Sequence, residues 1–289
     1  MAKKKIIFQG ELGANSHIAC QQAYPSYEAV PGATFEDCFA AITSGKVDLG
    51  MIPIENSVAG RVADIHHLMP TAKLHIIGEH FMPVHHQLLA VKGASLKTIK
   101  TVESHVHALG QCRKLIRSAK LKAIVAADTA GSAREVAEAG DKPRASIATA
   151  LAGKIYGLKV LARDIEDEKH NTTRFIVLSP KKQEAKPKSR RGRGTVVTTF
   201  IFQVRNIPAA LYKALGGFAT NGINMTKLES YMVGGSFAAT QFYADVEGHP
   251  SDRGLQLALE ELEFVCQKGT LRILGVYPAH PFRKKLNKS

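Results

Sequence analysis

Residues 181–194 read KKQEAKPKSRRGRG. The stretch has almost no apolar side chains, and it carries a proline, two glycines and like charges that repel. It cannot join a core, so it is expected to run as an extended basic linker. The 289-residue chain is thereby divided into a segment 1–180 and a segment 195–289. Each is long enough to bury its own core, and a hydrophobic content of 45% supplies the side chains.

The first segment alternates strand and helix signals. Lys5 to Gln9 is a strand running into Gly10, and Ser16 to Ala23 is a helix with Asn15 or Ser16 as its cap. Thr34 to Ser44 is a helix with Asp37 in its first turn and Gly45 as its stop. Val47 to Ile54 is an apolar strand buried on both faces. Strands follow at Leu74–Phe81 and His85–Val91, then an amphipathic stretch at Cys112–Ala119 and a strand at Lys122–Ala127. Helices at Thr129–Ala139 and Ala150–Tyr156 flank a strand at Ala145–Ala148, and Thr173–Leu178 is the last strand. This order predicts an α/β fold with mainly parallel strands, whose ligands bind where strand ends lead into helix starts.

The second segment reads strand, helix, strand, strand, helix, strand. The strands are Thr195–Val204, Ile223–Met232, Ser236–Val246 and Leu271–Tyr277, and the helices Ala209–Thr220 and Ser251–Gln267. Gly234-Gly235 joins the middle strands as a hairpin. A four-stranded antiparallel sheet with both helices on one face follows.

The net charge of +14 is concentrated at both ends and in the linker: Lys3–Lys5 carry +3, 181–193 carry +6, and Arg283, Lys284, Lys285 and Lys288 carry +4. These read as solvated tails rather than the basic groove of a nucleic-acid binder. No apolar run approaches the roughly 18–20 residues of a membrane span. The few apolar residues after Met1-Ala2-Lys3-Lys4-Lys5 are too short for a signal-peptide core, so a cytoplasmic protein is expected. Cys20, Cys38, Cys112 and Cys266 form no CxxC pair and read as free buried thiols. His66-His67 and His85-His86 lack metal-ligand spacing and no HExxH occurs, so neither metal nor cofactor is expected.

Polar clusters follow strands at Gly10–His17, Pro53–Gly60, Ser104–Gln111, Asp128–Ser132 and Asn171–Phe175. Each offers backbone N–H groups at a turn or helix start together with hydroxyls or amides, a combination that holds carboxylates. Taken singly, such residues are also ordinary helix caps. Gly10-x-x-Gly13 lacks the further glycine of a dinucleotide fingerprint, and no Walker motif or Gly-x-Ser-x-Gly elbow is present. Composition and spacing alone reach a soluble α/β protein with a polar cleft.

In order along the chain, these clusters resemble the prephenate dehydratase family. Gly10–His17 resembles its opening Gly-x-x-Gly-x-x-Ser-His segment, and Pro53-Ile54-Glu55-Asn56-Ser57 its Pro-Ile-Glu-Asn-Ser/Thr signature. Ser104-His105 with Gln111, Asp128–Ala133 and Tyr156-Gly157-Leu158 are similar too. Asn171-Thr172-Thr173-Arg174-Phe175 carries the most specific motif, Asn-x-Thr-Arg-Phe. The resemblance implies a two-lobed, periplasmic-binding-protein-like (type II) catalytic domain, with lobes at about 1–80 plus 165–180 and 82–163, and no cofactor. The second segment resembles an ACT domain, an α+β βαββαβ regulatory module. Asn206-Ile207-Pro208-Ala209-Ala210-Leu211 resembles its Gly-Ala-Leu loop and Thr226-Lys227-Leu228-Glu229-Ser230 its Thr-Lys-Ile-Glu-Ser motif. Two departures stand out: Ala209 takes the place of a glycine, and Tyr231-Met232 that of Arg-Pro.

The resemblance implies decarboxylative dehydration of prephenate to phenylpyruvate, with L-phenylalanine as effector and a homodimer or homotetramer as the assembly. Thr173 is the expected proton donor to the departing hydroxyl, and Arg174 orients a carboxylate or holds Thr173 in place. Asn56, Gln111, Ser16, Ser104 and Thr129 would donate hydrogen bonds to the substrate, and Ser57, Asn171 and Phe175 complete the expected binding set. Glu55 is either an acid or the partner of a nearby cation. Asn206, Pro208, Ala209, Ala210, Leu211, Asn224, Glu229 and Ser230 are the expected effector contacts. Arogenate dehydration and a non-catalytic amino-acid-binding regulator are the competing readings.

Overall fold

The computed structural model describes residues 3–187, 196–233 and 236–286. From the N-terminus come β1 (Lys5–Gln9), α1 (Asn15–Ala23), β2 (Glu28–Gly32), α2 (Phe35–Thr43), β3 (Leu49–Asn56), β4 (Gly60–Arg61), α3 (Ala63–Leu68) and β5 (His75–Pro83). Next are β6 (Gln87–Ala90), β7 (Thr101–Ser104), α4 (Val106–Gln111), α5 (Arg113–Ser118), β8 (Lys122–Val125), α6 (Thr129–Ala139), β9 (Arg144–Ala148), α7 (Ala150–Ile155), β10 (Lys159–Ala162) and β11 (Thr172–Ser179). The C-terminal part holds β12 (Val196–Gln203), α8 (Ala210–Thr220), β13 (Met225–Val233), β14 (Ser236–Glu247), α9 (Arg253–Val265), β15 (Arg272–Pro278) and α10 (Arg283–Leu286). Two compact units emerge from the contacts: residues up to Val62 with His80–Phe175, and Ala63–Glu79 with the chain from Ile176 onward.

The first unit is two-lobed, each lobe built on a sheet with helices packed against it. One sheet has the order β2-β1-β3-β11-β5 with β4 on β3, the other β10-β6-β9-β7-β8. β1 pairs in parallel with β2 and β3, and β7 with β8 and β9, whereas β6 runs antiparallel to β9 and β10. The sheets are therefore mixed rather than mainly parallel. Ile6, Phe8, Ile42, Met51 and Ile52 are buried in the first lobe, and Leu88, Val102, Leu109 and Ile147 form one cluster in the second. The α/β class expected from strand–helix alternation is observed.

Local chemistry explains where the helices begin. Thr34 accepts from the Asp37 N–H while the Asp37 carboxylate accepts from the Thr34 N–H, a reciprocal capping box opening α2. The Asp128 carboxylate caps α6 by accepting from Gly131 N at 2.7 Å, and Gly140, at φ 68°, stops the helix. α1 departs from expectation. Its cap is Ala14 with no side-chain bond, so Asn15 and Ser16 sit inside the first turn.

In the second unit the sheet order is β13-β14-β12-β15, every neighbouring pair antiparallel. This is the βαββαβ arrangement expected. The residues Gly234-Gly235, read as its hairpin turn, and 188–194 of the linker lie outside the described residues. Strand alternation turns Phe200, Phe202, Phe242 and Ala244 toward α8 and α9, where they form one core with Ala214, Phe218, Leu255 and Leu262. On the other side of the strands Thr199 Oγ1 donates to Asp245 Oδ1 at 2.6 Å and lies 2.7 Å from the Tyr277 hydroxyl. The Ala63–Glu79 stretch packs within this unit: His66 lies against Tyr231 and Tyr243, and Arg272 Nη2 donates to the Met69 carbonyl at 2.7 Å.

One basic end differs from the solvated tail expected. Arg283 is buried, and its Nε and Nη2 donate to the two carboxylate oxygens of the fully buried Glu79 at 2.6 and 2.9 Å. A charge count locates basic residues but cannot distinguish a guanidinium in water from one closing an ion pair.

Candidate active site

A cavity of about 390 Å³ lies between the two lobes of the first unit. The first lobe contributes Gln9, Gly10, Ala14, Asn15, Ser16, Asn56 and Thr173; the second contributes His105, His107, Gln111, Asp128 and Thr129. Val84 and His86, on the segment that crosses between the lobes, complete this wall. The first turns of α1 and α6 thus both border the cavity, and helix N-termini favour anions. No lysine or arginine is among the lining residues.

A continuous chain of hydrogen bonds runs along one wall. Asn56 Oδ1 accepts from the backbone N–H groups of Val58 and Ala59, at 2.9 and 2.8 Å. This leaves Asn56 Nδ2 to donate to Asn171 Oδ1 at 2.7 Å and to Thr173 Oγ1 at 2.9 Å. Asn171 Nδ2 in turn donates to Gln111 Oε1 at 2.8 Å, and His86 Nε2 lies 2.9 Å from the same oxygen. Burial pushes His86 below the usual histidine range. His105 is lowered as well, first by burial and then by His107, with Asp128 opposing.

The opposite rim is anchored to the second lobe. Gly13, at φ 93°, approaches so closely that a Cβ built there would stand 2.6 Å from Ala152 Cα. Its carbonyl accepts from Thr149 Oγ1, its N–H donates to His17 Nδ1 at 3.0 Å, and Tyr156 Oη donates to the Leu12 carbonyl at 3.0 Å. Glu11 receives a bidentate pair from Arg134, Nε at 2.8 Å and Nη2 at 3.0 Å. The Arg134 guanidinium holds the Glu11 carboxyl below its usual value. Glycine at 13 is required twice over, by backbone sign and by contact.

The expected site residues fall into three groups. Ser16, Asn56, Gln111, Thr129 and Thr173 line the cavity. Asn171 is buried but joins Asn56 to Gln111, and Ser57, near the rim, uses its hydroxyl to bind the His170 carbonyl and to accept from Thr172 N. Arg174, Glu55, Ser104 and Phe175 do not line it. Arg174 is buried, 2.9 Å from Glu55 Oε1 and over the Phe81 ring. Ser104 is fully buried and its hydroxyl donates to the Ile147 carbonyl at 2.6 Å, which differs from the substrate donor expected. Phe175 belongs to the core.

The histidines His86, His105 and His107, and Asn15 beside Ser16, were not anticipated as cavity residues. His85-His86 reads as an adjacent pair incapable of sharing a helix face, but the pair lies between β5 and β6, outside any helix. Among the described residues, His85, Asp164 and Glu166 also bring three potential ligand atoms within 4.8 Å of one another. Glu166 is already engaged there by the His85 ring and the His86 N–H, both at 2.9 Å.

In the second unit a cavity of about 300 Å³ is lined by Asn206, Ala209, Ala210 and Leu211 with Val204, Thr240 and Phe242. Pro208, Asn224, Glu229 and Ser230 are not among its lining residues; Asn224 Nδ2 donates to Glu247 Oε2 at 3.0 Å, and Glu229 pairs with Lys227 at 3.1 Å. Ala209 adopts φ 59°, the left-handed region that its glycine counterpart would favour. Tyr231 packs on His66 rather than lining this cavity, and burial pushes its hydroxyl well above the usual tyrosine range.

Comparison with known proteins shows the family. A model of the prephenate dehydratase family matches residues 6–183. A bifunctional N-acyl-homoserine lactone acylase/prephenate dehydratase of Komagataeibacter europaeus is 49% identical over 280 residues, covering 97% of this chain and 98% of its own. A chloroplastic arogenate dehydratase/prephenate dehydratase of Arabidopsis thaliana is 35% identical, covering 96% of this chain and 73% of that protein. The solved structure of a prephenate dehydratase from Arthrobacter aurescens in complex with L-Phe superposes with a TM-score of 0.86 at 28% identity, over 99% of this chain and 100% of that one.

Proposed function

The chain belongs to the prephenate dehydratase family and is a lyase of that class, and we propose that its interlobe cavity converts prephenate to phenylpyruvate by way of Thr173. In this reaction the ring C–OH bond and the bond from the quaternary carbon to its carboxylate both break. The electron pair of the carbon–carbon bond enters the ring, carbon dioxide departs, and the hydroxyl takes up a proton and leaves as water. Aromatisation supplies the driving force, so the protein's task is to hold the dianion and ease the hydroxyl away.

The observation that carries the reading is the 2.9 Å contact from Asn56 Nδ2 to Thr173 Oγ1. Because this oxygen accepts there, its own hydrogen is available to a cavity occupant. A threonine is a weak acid, so it acts by placing and relaying a proton, with solvent restoring it. A lining without lysine or arginine suits a carboxylate that must shed its charge as it leaves, since a fixed cation would stabilise the bound dianion more than the transition state. Arg174, buried on Glu55, serves to hold the strand that presents Thr173.

We assign the catalytic part to 1–180, the linker to 181–194 and the regulatory ACT part to 195–289. L-Phenylalanine is the proposed effector of the cavity at Asn206–Leu211, and pairing of two such units makes a homo-oligomer. A cytoplasmic setting accords with four free, buried cysteines. The deciding experiment follows phenylpyruvate absorbance on adding prephenate to the purified chain, with and without L-phenylalanine. Turnover that falls with L-phenylalanine supports the assignment, and absence of phenylpyruvate ends it.

A second activity is favoured by one observation, the near full-length 49% identity to a relative named also as an N-acyl-homoserine lactone acylase. Incubating the chain with such a lactone and measuring free homoserine lactone decides it.

A further inference from the structure

We propose that His86 is a positioning residue whose Nε2–H tautomer closes the hydrogen-bond chain that ends at Thr173 and holds Gln111 in the one amide orientation that chain permits. The inference rests on the reading that Thr173 acts on the substrate. The sense of the chain is dictated from its far end. The backbone N–H groups of Val58 and Ala59 both point at Asn56 Oδ1, and a backbone N–H can only donate. The Asn56 amide therefore cannot turn over. Its Nδ2 must face Asn171 and Thr173, the Asn171 oxygen must face Asn56, and Asn171 Nδ2 must face Gln111 Oε1. Gln111 Oε1 is then an acceptor, and the ring nitrogen 2.9 Å from it must carry the hydrogen.

The other tautomer would put two lone pairs face to face. Turning the Gln111 amide would relieve that contact only by setting its NH2 against the NH2 of Asn171, and the clash would pass along to Asn56, where the two backbone donors forbid it. His86 Nδ1 is consistent with this assignment: it is buried with no hydrogen-bond partner, as expected for a bare ring nitrogen whose tautomer is decided on the other side. The main chain keeps the ring in register, the His86 N–H donating to Glu166 Oε2 and its carbonyl accepting from Ile165 N, both at 2.9 Å.

The consequence reaches the cavity at two points. With Oε1 doubly occupied, the Gln111 Nε2 donors are left for a bound molecule, and the Thr173 oxygen, already accepting, offers its hydrogen. His86 thus holds the Gln111 amide with its Nε2 donors left for the cavity and, through Asn171 and Asn56, steadies the donor arrangement at Thr173.

The test has two arms. In the wild-type chain labelled with ¹⁵N-histidine, the His86 ring at neutral pH is expected to show a protonated Nε2 and an unprotonated Nδ1. A protonated Nδ1, in either the other tautomer or the imidazolium, overturns the proposal. In the second arm, His86→Gln keeps an N–H where Nε2 stood and His86→Leu removes it. His86→Leu is expected to lower kcat about 10–100-fold, the scale of one misplaced group, and His86→Gln to recover to within about threefold of wild type. Equal turnover in the two variants, high or low, overturns it. Should the wild-type chain make no phenylpyruvate at all, the functional reading fails, while the ring spectrum still decides the tautomer and the direction of the chain.

Discussion

Arg174 Nη1 lies 2.9 Å from Glu55 Oε1, one position along each strand from the 2.9 Å contact between Thr173 and Asn56. Successive residues of a strand point to opposite faces. The dipeptides Glu55-Asn56 and Thr173-Arg174 therefore pair twice, once toward the cavity through neutral groups and once away from it through charges. A buried guanidinium that loses its carboxylate destabilises the fold strongly, on the order of 3–5 kcal/mol, and Glu55 is a third exposed, which lowers the figure. Glu55→Gln is expected to cost about 1–2 kcal/mol in urea unfolding while reducing kcat far less than changes at Thr173.

Thr173→Val keeps the shape and removes the hydroxyl. It should lose on the order of 10²–10⁴-fold in kcat, the range for one proton-transfer group, with the unfolding free energy changed by no more than about 1 kcal/mol. Thr173→Ser should retain most of the turnover. Steady-state assays on prephenate check both, and wild-type kcat in the valine variant removes Thr173 from the chemistry.

The Glu11–Arg134 bridge carries a pH signature. Glu11 is held below its usual value, so the unfolded chain binds more protons across that window and the bridge stabilises the folded state fully only above the ordinary glutamate range. Its contribution is lost as pH falls through the depressed folded value. Both side chains are about a third exposed, so solvent screening keeps the effect below about 1 kcal/mol. The stability difference between wild type and Glu11→Gln should be largest at neutral pH, vanish in acid and shrink in high salt.

Ala209 stands at φ 59°, where a Cβ costs about 1–2 kcal/mol. Ala209→Gly should raise stability by about 0.5–1 kcal/mol after the added freedom of the unfolded glycine is counted. If L-phenylalanine occupies the adjoining cavity, calorimetry should also show tighter binding once the methyl is gone.

Arg283 and Glu79 make an enclosed ion pair in the C-terminal unit. Arg283→Ala, which takes the guanidinium from a fully buried carboxylate and leaves it the His280 N–H at 2.9 Å, is expected to cost about 3 kcal/mol. Guanidinium unfolding of the full chain checks it, and a change under 1 kcal/mol would refute the assignment.

Much of the frame could be read from residue patterns. The Thr34–Ser44 helix with Asp37 in its first turn and its Gly45 stop, the Thr129–Ala139 helix after Asp128, and the strand–helix order after the linker are local signals, and local signals survive in a one-dimensional string. β2 was missed because Glu28-Ala29-Val30-Pro31-Gly32 contains a proline and no alternation; its strand character comes from parallel pairing with β1. At the cavity, hydroxyl residues at loop ends were visible but their directions were not. Ser16 and Ser104 look alike in sequence, yet one borders the cavity and the other is sealed against the Ile147 carbonyl. His86 was invisible for the same reason, since its importance lies in what stands opposite one ring nitrogen.

The close approach at Gly13 reaches further than its size suggests. Gly13, within the loop from Gly10 to Ser16, rests on Ala152 with only a hydrogen atom between them, so any larger side chain at 13 must shift one against the other at the edge of the cavity. A side chain added at the back of the loop thus acts on Gly10, Ala14, Asn15 and Ser16 of the cavity wall from a position outside that wall.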